Sequence, residues 1–288
     1  MFRYLGMVWD ETNPRQQETA QLIAGRLRQS SAAWREEFSA PGMQVLCAGV
    51  RDAALQLHPV GDHGGIVIGS LLARSRDLFS PAPDRGFHFG ATQSHEFVRS
   101  RGRWLIDHAW GDYVAFGHDP NGSKWVLKDP TGSLPCLRTE FRGVSIFFSR
   151  IGDCLDLHLL RFTANETFLR SHMMTGSSFL DTSSLNEAAP VRRGECVEFR
   201  RDSAGWQSTS QMYWTPFSYT GARDLIEDPQ TAAQAMHSVI KSATASLAGM
   251  HRSVLLRLSG GLDSSIVAGC LKGTTERFTA YTYFSPIG

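Results

Sequence analysis

The stretch from Val254 to Leu271 constrains the fold more than any other part of the sequence. It runs Val254-Leu255-Leu256-Arg257-Leu258-Ser259-Gly260-Gly261-Leu262-Asp263-Ser264-Ser265 and continues with Ile266-Val267-Ala268-Gly269-Cys270-Leu271. The apolar run at its start is typical of a buried parallel strand, and the apolar segment at its end predicts a helix that packs back on the sheet. The sequence therefore predicts a strand, a tight turn and a helix in direct succession.

The turn has the composition of an anion-binding loop. Gly260 and Gly261 allow a sharp turn with positive φ and let backbone N–H groups approach a ligand without a Cβ in the way. The three serines of the loop add hydroxyl donors, and a helix that starts around Asp263 directs its partly positive N-terminus to the same place. We therefore expect the loop to hold a phosphate or a pyrophosphate.

Asp263 adds a cation to this prediction. A carboxylate beside phosphate oxygens requires a divalent cation, and Mg²⁺ is the hard cation that one carboxylate and several phosphate oxygens share. The loop thus predicts ATP with Mg²⁺, with Asp263 as metal ligand and catalytic residue. The alternative is an ordinary turn in which Ser259 or Asp263 caps the helix. A Walker loop is excluded because the Gly-Lys-Ser/Thr ending is missing.

Composition limits the class of protein and its partners. The chain has 288 residues, of which 42% are hydrophobic and 20% charged, a balance that suffices for two globular domains. Its formal net charge of +1 predicts neither a nucleic-acid partner nor a membrane partner. The five cysteines form no Cys-x-x-Cys pair, which favours a reduced, cytoplasmic protein without structural zinc.

The order of the segments predicts two domains. Residues 1–215 contain short strand-like segments with turn residues between them, including the hairpin turn Asp119-Pro120-Asn121-Gly122, so we expect antiparallel sheets with helices outside. Residues 216–288 begin in a linker and continue with a helix from Pro229 to Gly249, the loop, and a strand from Phe278 to Phe284. Two strands cannot bury both faces of a parallel sheet, so we expect the chain to be incomplete.

The loop and three segments of the N-terminal part resemble those of a known family. Ser259 to Ser265 is similar to the pyrophosphate loop of the N-type ATP pyrophosphatases, in the form typical of the asparagine synthetase superfamily. Asp112 to Phe116, Lys128 to Pro135 and Pro190 to Glu195 resemble segments of that family's glutaminase-type domain. The resemblance implies an α/β chain with an α+β N-terminal domain. An Ntn-hydrolase-like αββα sandwich over 1–215 would precede the start of an adenine nucleotide α-hydrolase-like ATP pyrophosphatase domain with a parallel sheet over 216–288.

The glutaminase chemistry of that family requires a residue that this chain lacks. In the family, removal of the initiator methionine exposes a cysteine whose own α-amine helps to activate its thiol. Here the second residue is Phe2, and Cys47, the nearest thiol in sequence, is far from the terminus. The family's Asn-Gly-Glu signature should fall near Ile66 to Leu72, where this chain is mostly apolar. We therefore expect no glutamine hydrolysis.

Without glutamine as the source of ammonia, the resemblance favours a substrate amine as nucleophile. Residues 110–116 and 126–136 are most similar to lasso-peptide macrolactam synthetases, the asparagine synthetase-like cyclases. That group adenylates a side-chain carboxylate of a precursor peptide, whose N-terminus then closes an isopeptide ring after a leader-peptide protease has acted. The residues implied to bind the nucleotide are Leu256, Leu258, Ser259, Gly260, Gly261, Leu262, Asp263, Ser264 and Ser265, with the adenine also near Tyr281 to Phe284.

Two other functions remain open at this point. One is an asparagine synthetase that uses ammonia or glutamine. The other is an inactive remnant or a peptide-binding module that catalyses nothing. For a macrolactam synthetase or an asparagine synthetase, the acceptor-site residues and the general base would follow Gly288. The activity of this chain by itself is therefore left open.

Overall fold

The computed structural model describes residues 2–49, 56–74, 87–176, 182–272 and 278–283. The chain divides into two compact units, one drawn from Met1–Leu71 and His88–Thr215, the other from Leu72–Phe87 and Pro216–Gly288. Whether 1–215 and 216–288 fold as separate domains stays a prediction. None of the helices in the described ranges is long and apolar enough to cross a lipid bilayer.

The first unit contains two six-stranded sheets, with strands numbered in chain order. In spatial order, the first sheet consists of β12 (Ala189–Pro190), β10 (Leu137–Phe141), β11 (Val144–Phe148), β1 (Arg3–Val8), β3 (Met43–Ala48) and β2 (Arg35–Ala40). The second consists of β14 (Gly205–Met212), β13 (Glu195–Asp202), β9 (Lys124–Lys128), β8 (Tyr113–His118), β5 (Gly65–Gly69) and β4 (Gln56–Val60). All neighbouring strands are antiparallel, which confirms the sheets predicted for this part of the chain.

The two sheets pack face to face and helices cover their outer faces. Tyr4 and Val8 of β1 lie in the core between the sheets, whereas Leu5 and Met7 point to the opposite face, as the two-residue period of a strand requires. That outer face is covered by α1 (Pro14–Gln29). The order of layers is therefore helix, sheet, sheet, helix, and the αββα sandwich expected from the sequence is confirmed.

The second sheet is covered by α2 (Ala91–Arg99) and α3 (Arg103–His108). Here the Phe97 ring of α2 contacts the Trp125 ring of β9, with 5.7 Å between centroids. Trp125 is fully buried and neighbours Val126, which lies in the core between the sheets. The remaining elements of this unit are α4 (Ile151–Leu155), α5 (Glu166–Thr175) and the short strand β7 (Ala109–Trp110).

Asp129 fixes the loop that follows β9. Its carboxylate is fully buried and accepts hydrogen bonds from the N–H groups of Tyr113 (3.2 Å), Thr131 (2.6 Å) and Gly132 (2.9 Å). Burial raises the pKa of the Asp129 carboxyl, while these donors act in the opposite direction. The segment Lys128 to Pro135 therefore owes its shape to one buried acid that joins it to β8.

The second unit contains the predicted strand, loop and helix. Its elements are β6 (Leu72–Ala73), two 3₁₀ turns (Pro216–Tyr219 and Ala222–Asp224), α6 (Pro229–Gly249), β15 (Val254–Arg257), α7 (Leu262–Leu271) and β16 (Phe278–Tyr281). Pro229 lies in the first turn of α6, and Asp228 caps that helix by accepting from the Thr231 N–H at 2.8 Å. The predicted bounds of α6 are confirmed.

The expected burial of the loop-bearing strand is wrong. Strands β15 and β16 are parallel, with Val254 opposite Phe278, as predicted. Leu255 is nevertheless 68% exposed, because the sheet has only these two strands in the part of the chain that is described and α7 packs on one side of β15. Helix α6, expected to cover the sheet, instead packs mainly against α7. The last residue of the predicted strand, Phe284, lies outside the described residues.

One glycine sets how closely the two sheets of the sandwich approach each other. A Cβ on Gly6 of β1 would overlap the ring of Phe116, which extends from β8 of the opposite sheet. The ring of Phe116 is fully buried and contacts Tyr4 and Phe147 edge to face, at 5.9 and 6.3 Å between centroids. The absence of a side chain at position 6 therefore makes room for the central ring of the core.

The change Gly6→Ala should destabilise the sandwich, because the added methyl overpacks a full core. We expect a loss of about 1–3 kcal/mol in the free energy of unfolding, measured by urea denaturation. The matched control is Gly25→Ala in α1, where no atom lies within 4 Å of the added Cβ and helix propensity favours alanine. A Gly6→Ala protein as stable as its parent would contradict the packing described above.

Candidate phosphate-binding site

The candidate site lies where β15 ends and α7 begins. Helix α7 starts at Leu262, one residue from the predicted start at Asp263. The N–H of Leu258 donates to the carbonyl of Tyr281 at 2.8 Å, which extends the pairing between β15 and β16 to the first residue of the loop. The loop therefore leaves the sheet at the carboxyl end of a parallel strand, the edge where open α/β sheets bind ligands.

The two glycines have different backbone conformations. Gly260 has φ +81°, a left-handed conformation that side chains disfavour, and no atom lies within 4 Å of the position where a Cβ would be. Gly261 is extended and is the N-cap of α7. The space above the turn is thus open to a ligand, as expected for an anion-binding loop.

The helix start has no side-chain cap. The first amides of a helix have no partner within the helix, and Gly261, the N-cap of α7, has no side chain to accept from them. The hydroxyl of Ser259 accepts from the N–H of Gly261 itself at 3.4 Å. Neither Ser259 nor Asp263 is the N-cap, so the ordinary capped turn is not what the structure contains. The N–H groups of the first turn and the partial positive charge of the helix are directed to the open side of the loop.

Ser264 braces the loop from within. Its hydroxyl oxygen lies 3.3 Å from the N–H of Ser259, 3.2 Å from the hydroxyl of Ser259 and 3.2 Å from the carbonyl of Gly261. The hydroxyl of Ser265 donates to the same carbonyl at 2.9 Å. The two serines therefore hold the turn in shape, and their contacts are local rather than directed at a ligand.

Asp263 is exposed in the first turn of α7, where a cation shared with phosphate oxygens would lie. The described residues contain no cluster of three or more His, Cys, Asp or Glu side chains that would hold a metal ion by itself. A cation here would take one ligand from Asp263 and the others from phosphate oxygens and water. That ligand set fits Mg²⁺, which usually keeps several waters and binds through one or two carboxylates.

The two predicted leucines lie on the strand side of the loop. Leu256 and Leu258 are both half-buried, and Leu256 is opposite Ala280 of β16. The structure adds a pair that sequence reasoning missed, since the guanidinium of Arg257 lies over the ring of Tyr283 at 5.3 Å. The parallel register of β15 and β16 is the signal from which this proximity follows.

An aromatic residue, Phe2, lies immediately before β1. Phe2 packs against the core between the sheets and helps to line a cavity of about 490 Å³, together with Arg3, Arg35, Glu37 and Cys47. All five cysteines lie in described residues, are buried and form no disulfide. Burial raises the pKa of the Cys136 thiol to about 11, so this thiol is protonated at neutral pH.

The segment expected to carry a glutamine-binding signature is instead part of a core. Ile66 and Ile68 of β5 lie in the core between the sheets, and every residue of β5 is buried. An Asn-Gly-Glu signature needs polar groups at the surface of a pocket. The geometry of β5 agrees with the lack of that signature in the sequence.

Comparison with known proteins adds no family assignment. No protein-family model matches the chain, and no curated protein matches it. Among solved structures, it is similar to "the allosteric regulatory enzyme of purine biosynthesis", with 11% identity and a TM-score of 0.36 over 99% of this chain and 67% of that one. It is also similar to glutamine phosphoribosylpyrophosphate amidotransferase from B. subtilis complexed with ADP and GMP, with 12% identity, a TM-score of 0.31, and 96% and 65% coverage. Scores this low do not establish a common fold.

Removing the hydroxyl of Ser264 should loosen the loop. In Ser264→Ala the N–H of Ser259 loses its acceptor, and a hydrogen bond of this kind contributes about 1 kcal/mol, or roughly fivefold in a local opening equilibrium. We expect hydrogen exchange at Ser259 to Gly261 to accelerate by that factor. The matched control is Ser253→Ala, because Ser253 is an exposed serine before β15. This change should leave the exchange rate of the loop amides unchanged. Equal exchange in both variants would contradict the bracing role.

Proposed function

We propose that the chain carries the nucleotide-binding loop of an ATP-dependent, amide-bond-forming ligase. The observation that carries this proposal is the open turn at Gly260 and Gly261 between a parallel strand and a helix start without a side-chain cap, with Asp263 in the first helical turn. Backbone N–H groups at such a helix start bind phosphate oxygens. Asp263 with Mg²⁺ would neutralise the charge that accumulates on the leaving pyrophosphate.

The proposed reaction has two steps. A carboxylate oxygen of the substrate attacks the α-phosphorus of ATP, the bond to the bridging oxygen breaks, and pyrophosphate leaves into the loop. An amine then attacks the acyl carbon of the adenylate, AMP leaves with the electron pair of its oxygen, and the amine loses a proton. The loop contributes by binding the pyrophosphate more strongly as it separates, which stabilises the transition state of the first step.

The position of Phe2 supports a substrate amine as the nucleophile. Phe2 packs against the core, and a phenylalanine side chain has no nucleophilic atom to attack glutamine, which supports an amine from another source. We propose lasso-peptide macrolactam formation, in which a side-chain carboxylate of a precursor peptide is adenylated and the peptide N-terminus attacks it. A leader-peptide protease that frees that N-terminus is then a partner.

Binding of ATP should depend on Asp263 and on magnesium. We expect Asp263→Asn to weaken the binding of Mg²⁺-ATP about tenfold in equilibrium dialysis, which corresponds to about 1.4 kcal/mol. Glu227→Gln is the matched control, because Glu227 is an exposed acid of the same unit outside the loop. If the Asp263→Asn variant binds Mg²⁺-ATP as well as the parent does, or if the parent does not bind it at all, the proposed role of the loop is wrong.

The substrate class is tested by the release of pyrophosphate. A complete enzyme that contains this chain is incubated with ATP and either a leaderless precursor peptide or aspartate and ammonia. We expect pyrophosphate and a peptide lighter by one water only in the first mixture. Release with aspartate and ammonia would instead identify an asparagine synthetase, and release in neither mixture would contradict the proposed ligase.

A further inference from the structure

Among the described residues the two sheets of the sandwich have four edge strands, and three of them are protected against pairing with another strand. β12 has two residues and contains Pro190, and β4 contains Pro59. β2 carries Arg35, Glu36 and Glu37 and is interrupted by a bulge. Short length, proline, charge and bulges are the usual devices that keep an edge from accepting a foreign strand.

The fourth edge, β14, has none of these devices. It is eight residues long, has the sequence Gly-Trp-Gln-Ser-Thr-Ser-Gln-Met, contains neither charge nor proline, and pairs without a bulge with β13. Its residues from Gln207 to Met212 are exposed. In the described part of the chain, no strand lies on its other side.

The hairpin geometry identifies the backbone groups that point outward. A two-residue loop joins Asp202 to Gly205, and in antiparallel pairs every second residue turns its N–H and C=O to the partner strand. The N–H of Tyr213 donates to Gly194 at 2.8 Å, which sets odd-numbered positions as those bonded inward to β13. The N–H and C=O groups of Trp206, Ser208, Ser210 and Met212 therefore face the free edge.

The guanidinium of Arg138 in β10 lies beside this edge. It donates to the hydroxyl of Ser208 at 3.0 Å and lies over the Phe147 and Phe199 rings, at 5.8 and 5.2 Å. Among the described residues no carboxylate lies within 4.0 Å of it. Burial lowers the pKa of the Arg138 guanidinium, and the more distant Glu140 and Glu195 act in the opposite direction.

We propose that the free edge of β14 binds an extended peptide strand, one of whose acidic side chains pairs with Arg138. The peptide backbone would add a strand to the second sheet, and a Glu or Asp opposite Ser208 would point to the same face as the guanidinium. The inference goes beyond the proposed ligase reaction, since it concerns a surface of the sandwich and does not require the loop to bind nucleotide.

A second copy of the chain fits the same edge less well. Antiparallel self-pairing of β14 centred on Ser208 would bring together the two copies of that residue, and with them two Arg138 guanidiniums on one face. Like charges at such close positions are destabilising. An acidic peptide strand removes that repulsion and supplies a carboxylate for the guanidinium.

The experiment uses the full chain and three pools of nine-residue, fluorescein-labelled peptides. Each pool mixes Thr and Val at the flanking positions and has Glu, Gln or Lys at the centre. We expect fluorescence anisotropy to show about tenfold tighter binding of the Glu pool than of the Gln pool, and this preference to vanish in Arg138→Gln. Arg200→Gln, an exposed arginine on the other face of β13, is the matched control and should keep the preference.

Two further measurements test the edge itself. Ser210→Pro removes an outward N–H without breaking a bond to β13, and it should abolish binding while circular dichroism shows the sheet intact. Peptides that are N-methylated at every second residue test the edge without any variant. One set should lose binding because its methyl groups replace the N–H groups that face β14, and the set methylated at the other residues should still bind. Asp263→Asn should bind the peptides as the parent does, which separates this proposal from the ligase proposal.

Three outcomes would overturn the proposal. One is equal binding of the three pools or no binding of any. The second is loss of the preference in Arg200→Gln rather than in Arg138→Gln. The third is a dimer in sedimentation velocity that Ser210→Pro dissociates, which would make the edge an interface between copies.

Discussion

The sandwich depends on the packing of aromatic rings between its two sheets. Phe147 of the first sheet contacts Phe116 and Phe199 of the second edge to face, and Tyr4 contacts Phe116 in the same way. Edge-to-face pairs are favoured because the positive ring edge meets the negative ring face, and each adds to the burial of apolar area. Because these rings lie between the sheets, they fix which face of β1, β8, β11 and β13 is turned inward.

The sequence predicts the strands of this sandwich well where one face is apolar and turns are marked, as in β8 and β9 around Asp119 to Gly122. Prediction from the sequence fails where an element buries too few residues to produce a periodic apolar pattern. β2 was missed because its residues Arg35, Glu36 and Glu37 are polar on an edge strand, and α5 because none of its residues is buried. Both elements follow from their neighbours, which local sequence does not contain.

The candidate site was likewise predicted in some features and not in others. Its loop was predictable because Gly260, Gly261 and the start of α7 are encoded within a few consecutive residues. The exposure of Leu255 was not predictable, because an apolar run is equally typical of a strand with two covered faces and of one with fewer neighbours. The contact between Arg257 and Tyr283 was missed because it depends on the register between two strands separated by α7.

The two proposals are linked by Phe2, the residue that precedes the first strand of the αββα sandwich. A ring packed against the core adds apolar burial at the place where a nucleophile would need solvent and a free amine. A sandwich of this kind also offers the edges of its sheets as binding surfaces. Of the four edges in the described part of the sandwich, β14 alone combines length, exposure and lack of charge, and it lies beside the guanidinium of Arg138. A sheet edge would bind a peptide substrate of the proposed ligase through its backbone, independently of most of its side chains.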